Sequence, residues 1–157
     1  MPPKKFLELS EIDFDNIIAD REAIYKILPH RYEFERLDAM VHMDRENWIM
    51  AGYVDLKEDD FWVRGHIPGR PIFPGVMMIE TAAQLVSYFS MNALEKEGFL
   101  GFAAVDNVKF RGTVTHGQRL VMVGKMIDFR PRRCVGAIQG FVDGKMVFEG
   151  QITGMWL

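Results

Sequence analysis

Three residues in one short stretch, His66, Gly75 and Glu80, have the types needed to move protons and hold a developing negative charge. The stretch runs from Gly65 to Gln84 and reads GHIPGRPIFPGVMMIETAAQ. A neutral imidazole accepts a proton near physiological pH, which makes His66 a candidate general base, and such groups typically contribute about 10²–10⁴ in rate. The competing reading is a histidine that hydrogen bonds a loop carbonyl and holds the turn. Glu80 falls in an apolar run with the character of a buried helix. Burial raises a carboxylate's pKa unless charges or donors compensate, and a raised pKa makes it a usable proton donor. The competing reading here is a buried ion pair with Arg64 or Arg70. Gln84, one helical turn after Glu80, either orients that carboxylate or fills a packing gap.

The loop before the helix carries proline at 68, 71 and 74 and glycine at 65, 69 and 75. Prolines fix backbone angles and glycines permit unusual ones, a combination suited to presenting groups in a set geometry. Gly75 opens the helix, where the first N–H groups lack intrahelical partners and the positive end of the dipole lies. Without a side chain there, a ligand oxygen can approach the N–H closely, and one such donor lowers a barrier by about 2.7–4 kcal/mol. Phe73 and Val76 flank Gly75 and are, with Gln84, the candidate substrate contacts. A base, an oxyanion donor and an acid beside apolar side chains suit removal of a proton next to a carbonyl and expulsion of a neighbouring hydroxyl as water. A stiff turn and more than a turn of helix separate His66 from Glu80, so the pair can equally form across a dimer interface.

The surrounding elements must position these groups. DREAIYKIL has helical spacing and stops at Pro29. EFERLDAMVHMD and NWIMAGYVDL have strand character and, separated by a polar DREN, predict a hairpin. The long helix is expected from about Gly75 to Glu97, with Gly98 as its cap. GFAAVDNVKF, QRLVMVGKMIDF, CVGAIQGFV and KMVFEGQITGMW read as strands, and DGK at Asp143 to Lys145 as a tight hairpin turn. One long apolar helix among antiparallel strands predicts an α+β fold with the sheet curled around the helix. Its open edges predict pairing with a second copy, a homodimer at least.

At 157 residues with 48% hydrophobic and 26% charged residues, the protein fits one domain, residues 1–157, with 1–20 as an N-terminal extension. A net charge of -3 argues against a general electrostatic grip on nucleic acid. Glu80, Gln84, Ser87, Ser90 and Asn92 interrupt the apolar run, which argues for a soluble buried helix over a membrane span. Cys134 is the single cysteine and MPPKKFLELSEIDFDN has no continuous apolar core, so a cytoplasmic protein without internal disulfides is expected.

LPHRY, GHIPGRPIFPGVMMIE, TAAQ and VDNVKFR closely resemble the β-hydroxyacyl-acyl carrier protein dehydratases of bacterial fatty acid synthesis, the FabZ type. The resemblance runs from about Ile24 to the C-terminus. It implies a hot-dog fold, active sites at a dimer interface and often a trimer of dimers. By that resemblance His66 matches the catalytic histidine, Glu80 the acid contributed by the partner subunit, and Gly75 the glycine whose N–H polarises the thioester. It implies no metal or nucleotide cofactor, and a substrate delivered on the pantetheine arm of an acyl carrier protein. Glutamate at 80 favours this type over the dehydratase-isomerase relatives, which carry aspartate. The sequence departs from the pattern at Glu33, Arg36, Arg64 and Gly101, and has LDA where VDR is common. Because the carrier is acidic, Lys109, Arg111, Arg130, Arg132 and Arg133 are candidate docking residues. A hot-dog acyl thioesterase and a non-catalytic acyl-carrier-binding homologue are the alternatives.

Overall fold

A computed structural model describes residues 3–95 and 97–157. Strand β1 (Ala19–Asp20) leads directly into helix α1 (Arg21–Ile27). The Asp20 carboxylate caps α1 by accepting from the Ala23 N–H at 2.9 Å, and the helix stops just before Pro29. α1 buries Ile24 and Tyr25. The predicted hairpin forms as β2 (Ala39–Asp44) and β3 (Ile49–Asp55), but β2 begins later than the sequence pattern suggests. The reason lies in the preceding backbone donors. The Arg36 N–H goes to the Gln84 side chain and the Leu37 N–H to the Tyr25 hydroxyl, so neither is left for a neighbouring strand.

Helix α2 spans Gly75–Leu94. It ends short of the expected Glu97 because Glu95 already adopts the left-handed conformation, φ 48°, which breaks the helical path. Gly98, expected as the cap, lies beyond it in the connection with φ 113°. Then come β4 (Leu100–Phe110), β5 (Arg119–Arg130), β6 (Arg133–Val142) and β7 (Lys145–Trp156). Asp143 and Gly144, both at positive φ, make the two-residue turn between β6 and β7, as the DGK signal predicts. The strands form one antiparallel sheet in the order β1-β2-β3-β5-β6-β7-β4. One face of it, carrying Met50, Leu120, Met122, Ile138 and Phe148, closes on Met78, Ala82, Leu85 and Phe89 of α2. No helix among the described residues is long and apolar enough to cross a membrane.

Strand alternation gives the sheet a second apolar face, and the N-terminal segment covers it. Phe6, Leu7, Leu9, Ile12 and Phe14 pack on Val41, Ala51, Val121, Val123 and Phe141. Gln139, buried on that face, accepts from the Phe6 N–H at 3.1 Å and donates to the Lys4 carbonyl at 2.9 Å. Gln139→Ala removes both hydrogen bonds, a loss of about 0.5–1.5 kcal/mol for each, since the Phe6 N–H and Lys4 carbonyl lie on a half-buried and an exposed residue that water can reach. A Tm several degrees below wild type is expected in thermal unfolding, with the secondary structure by circular dichroism unchanged.

The other edge of the sheet is β4. From Phe102 to Asn107 its residues are exposed, and Phe102, Val105 and Phe110 present large apolar side chains to solvent. A long apolar edge strand with unpaired N–H and C=O groups is a template for a further strand.

Candidate active site

His66 is positioned by its own loop. Its N–H donates to the Trp62 carbonyl at 2.8 Å, and its carbonyl accepts from Ile72 at 2.9 Å. Its ring Nδ1 lies 2.7 Å from the Ile72 carbonyl oxygen. A carbonyl only accepts, so Nδ1 carries the hydrogen and Nε2 of the neutral ring holds the free lone pair. The turn-holding bond of the structural reading and the lone pair of the catalytic reading thus belong to one tautomer.

Gly75 opens α2 behind Pro74, which has no capping group in its ring. The Pro74 carbonyl takes the N–H groups of Met77 and Met78, while those of Gly75 and Val76 have no acceptor among the described residues. A second contact bears on glycine here: a Cβ at this position would come within 2.8 Å of the Phe110 ring, which would have to shift. His66, Phe73, Gly75, Val76, Ile79 and Phe110 line an open cleft of about 640 Å³. Phe73 is buried in its wall, and Val76 stands into solvent at its rim, 71% exposed.

Glu80 faces a different cavity. Gln84 donates to its Oε1 at 2.8 Å, and His30 Nε2 lies 3.4 Å from the same oxygen. Gln84 itself is held rigidly. Its Oε1 accepts from the Arg36 N–H at 3.2 Å and the Tyr25 hydroxyl at 2.6 Å; its Nε2 donates to the Phe34 carbonyl at 2.6 Å and to Glu80. A backbone N–H can only donate and a backbone carbonyl only accept, so the amide has one orientation and it aims at Glu80. Burial pushes the Tyr25 hydroxyl up to about 12, which keeps it protonated as a donor to Gln84.

This network overturns the expectation of an acid with a raised pKa. Burial does push Glu80 upward, but the hydrogen bonds from His30 and Gln84, together with the charge on His30, outweigh it and hold the carboxyl below its ordinary range. Nor is the partner an arginine: Arg64 and Arg70 are exposed on the loop, and the group beside Glu80 is His30. Sequence reasoning places His30 within LPHRY and gives it no role. Arg36, a departure from the family pattern, is buried with its guanidinium over the rings of Phe61 and Phe73 at 5.5 and 5.9 Å. Those aromatic faces let a cation occupy an otherwise apolar position.

Helical geometry explains the separation of His66 from Glu80. Five residues along α2 amount to a rotation of about 140° from Gly75, so Glu80 shares a face with Ala83, Gln84, Ser87 and Met91 instead. That face lines a mainly apolar cavity of about 320 Å³ reaching from His30 and Glu80 to Gly98–Phe102 at the start of β4. The His66 cleft is walled by Phe110–Val114 at the end of β4, and the two cavities share no residue. The basic candidates divide likewise. Arg111 lines the His66 cleft and pairs with Glu149 at 2.5 Å. Arg132 and Arg133 are exposed at the β5–β6 turn, beside Arg130, which pairs with Asp128 at 3.1 Å, at the opposite end of the sheet. Lys109 is exposed on β4 itself.

A curled antiparallel sheet closing on one long helix, with a histidine cleft before that helix and a carboxylate within it, is the hot-dog architecture. The family profile of the FabA-like domain matches residues 28–151. The protein is 33% identical over 137 residues to the 3-hydroxyacyl-[acyl-carrier-protein] dehydratase FabZ of Lawsonia intracellularis, covering 84% of this chain and 88% of that one. It is 34% identical over 131 residues to the FabZ of Lactococcus lactis subsp. cremoris, covering 83% and 90%. Among solved structures, the dehydratase heterocomplex ApeI:P from Xenorhabdus doucetiae superposes with a TM-score of 0.72 at 14% identity, over 85% of this chain and 90% of that one. The chain belongs to the FabA-like family and, within it, to the FabZ-type 3-hydroxyacyl-[acyl-carrier-protein] dehydratases.

Proposed function

We propose that the protein dehydrates 3-hydroxyacyl thioesters carried on acyl carrier protein to 2-enoyl thioesters in fatty acid or related lipid synthesis, and that its working unit is a homodimer joined through β4. The observation that carries the dimer is the placement of the two half-sites. The His66 cleft abuts the Phe110 end of β4, and the Glu80 cavity opens at the Leu100 end. Antiparallel pairing of β4 with a second β4 lays the Phe110 end of one protomer beside the Leu100 end of the other. The cleft of one subunit then faces the carboxylate of its partner, and the exposed Phe102, Val105 and Phe110 are covered.

In that site His66 Nε2 takes the proton from C2 of the substrate. The C2–H electrons move toward the thioester, whose carbonyl oxygen becomes negative against the N–H of Gly75 at the positive end of α2. The electrons then form the C2=C3 bond as the C3–O bond breaks. The departing oxygen takes a proton delivered through the partner subunit's Glu80 and leaves as water. From Glu80 to Met91 the helix advances about 16 Å, and the apolar wall along it suits the acyl tail.

The carrier docks by charge. Antiparallel pairing brings the Arg132–Arg133 end of one protomer to the same side as Arg111 of the other, which supports a docking face shared by two subunits. The same reading places the enzyme in the cytoplasm. Purified protein incubated with a 3-hydroxyacyl thioester is expected to form enoyl thioester without releasing thiol. Free thiol in place of enoyl product identifies a thioesterase, and neither product identifies an acyl-binding homologue.

A further inference from the structure

Dehydration requires Glu80 to deliver a proton, yet its surroundings favour the ionised form. Gln84 gives Glu80 a hydrogen bond that a carboxylate receives best, and among the described residues no other donor on α2 is aimed at it. His30 resolves the conflict. Its Nε2 lies 3.4 Å from Glu80 Oε1, and both side chains line the same cavity wall. Among the described residues lining that cavity, only His30 and Glu80 are ionisable. The groups packed around His30 are otherwise committed: the Tyr25 ring meets it edge-on at 6.5 Å with its hydroxyl spent on Gln84, and the Arg31 guanidinium donates to the His30 backbone carbonyl. His30 Nδ1 is buried and has no hydrogen-bond partner among the described residues. A ring nitrogen shut from solvent and from the protein is retained at a cost, and the other nitrogen's contact with Glu80 gives that cost a purpose.

We propose that His30 is a positioning residue that loads Glu80, the two side chains holding one proton between them for the leaving hydroxyl. The inference rests on the dehydratase reading and deepens it. In the step, the C2–H proton passes to His66 while the C3 hydroxyl leaves with the proton of the pair as water. Glu80 is left as carboxylate and His30 as neutral imidazole. His66 then gives its proton to solvent and the pair takes one back, so the enzyme returns to its starting state with no other reactant. A shared proton belongs to the pair and not to either residue. The pair releases it at a higher pH than a lone glutamate would, because an imidazole is in general a stronger base than a carboxylate.

The test compares wild type with His30→Asn, and with His30→Gln should the first variant unfold in a thermal melt. Removing His30 removes both its hydrogen bond and its charge from Glu80, so the Glu80 carboxyl is expected to titrate at higher pH in the variant. This is read without substrate by carbon NMR on glutamate-labelled protein, the Glu80 signal being assigned by its loss in Glu80→Gln. In the pH profile of enoyl formation the alkaline limb should move the other way, to lower pH by about one unit or more, with the acidic limb unchanged. Near neutral pH kcat should fall about tenfold with KM little altered. A loss that is uniform across pH, with an unmoved Glu80 titration, reduces His30 to a packing role and overturns the proposal. Wild-type protein that forms no enoyl product overturns the dehydratase reading, and a Glu80 titration that ignores His30 overturns the pair alone.

Discussion

Mixed protomers of His66→Ala and Glu80→Gln should recover about a quarter of wild-type enoyl formation, although each variant alone falls by about 10²–10⁴. The figure follows from a two-site dimer. Random pairing of equal amounts makes half of the dimers mixed, and each mixed dimer holds one site with both groups intact. The physical basis is the separation of the two cavities: within one protomer, the first turns of α2 point Gly75 and Val76 into the His66 cleft and Glu80 away from it. His66 is exposed, so alanine there removes little packing. Glutamine at 80 keeps the shape of glutamate beside Gln84. Both variants should therefore fold and pair, which melting curves and size-exclusion chromatography check. Co-expression of the two variants with different tags gives the quarter in the unseparated mixture, and the doubly tagged dimer isolated from it should show about half of wild-type activity, one of its two sites being intact. Absence of recovery in that species would place both groups of each site on the same protomer and remove the trans arrangement.

Much of this arrangement is readable in the residues, and the exceptions have physical causes. Runs rich in β-branched and aromatic residues and the DGK turn locate β5 to β7 well, since these strands bury one or both faces and so read as near-continuous apolar segments. The end of α2 is harder to read. Gly98 is a good capping residue, but the left-handed turn falls at Glu95, a residue that sequence propensity does not single out. The start of β2 is hidden because the side chains of Tyr25 and Gln84, distant in sequence, take the backbone donors before it. The N-terminal segment has apolar residues without strand or helix spacing, so its function as a cover for the outer sheet face emerges only from the contacts of Phe6, Leu9, Ile12 and Phe14.

The site divides in the same way. His66, Gly75, Glu80 and Gln84 can be named from residue type and local setting alone. The protonation of Glu80 cannot, because it is decided by His30, far upstream in α1's exit, and by a glutamine whose orientation depends on Phe34 and Arg36. A local reading supplies burial, which raises a carboxylate; the fold adds the donors, which lower it. The same limit applies to Gly75. Its role as an N–H donor at a helix start is a local property, whereas its contact with Phe110 joins α2 to the far end of β4.

That double constraint on Gly75 can be separated experimentally. Gly75→Ala should lower kcat by about 10²–10³, the effect of losing one oxyanion donor, because the added methyl group stands beside the N–H that the thioester oxygen must reach. It should also strain the fold, since the new Cβ would lie 2.8 Å from Cε1 and Cζ of Phe110. The strain is relievable: Phe110 is a flexible side chain, 52% exposed in the protomer. The discriminating experiment is therefore a double-mutant cycle with Phe110→Ala, reading Tm and enoyl formation together. If the oxyanion role is correct, Phe110→Ala restores the melting temperature lost in Gly75→Ala, while the fall in kcat on going from glycine to alanine is as large in that background as in wild type. If the fall in kcat disappears along with the clash, glycine is needed at 75 only to admit the Phe110 ring, and the helix terminus is not where the negative charge is held.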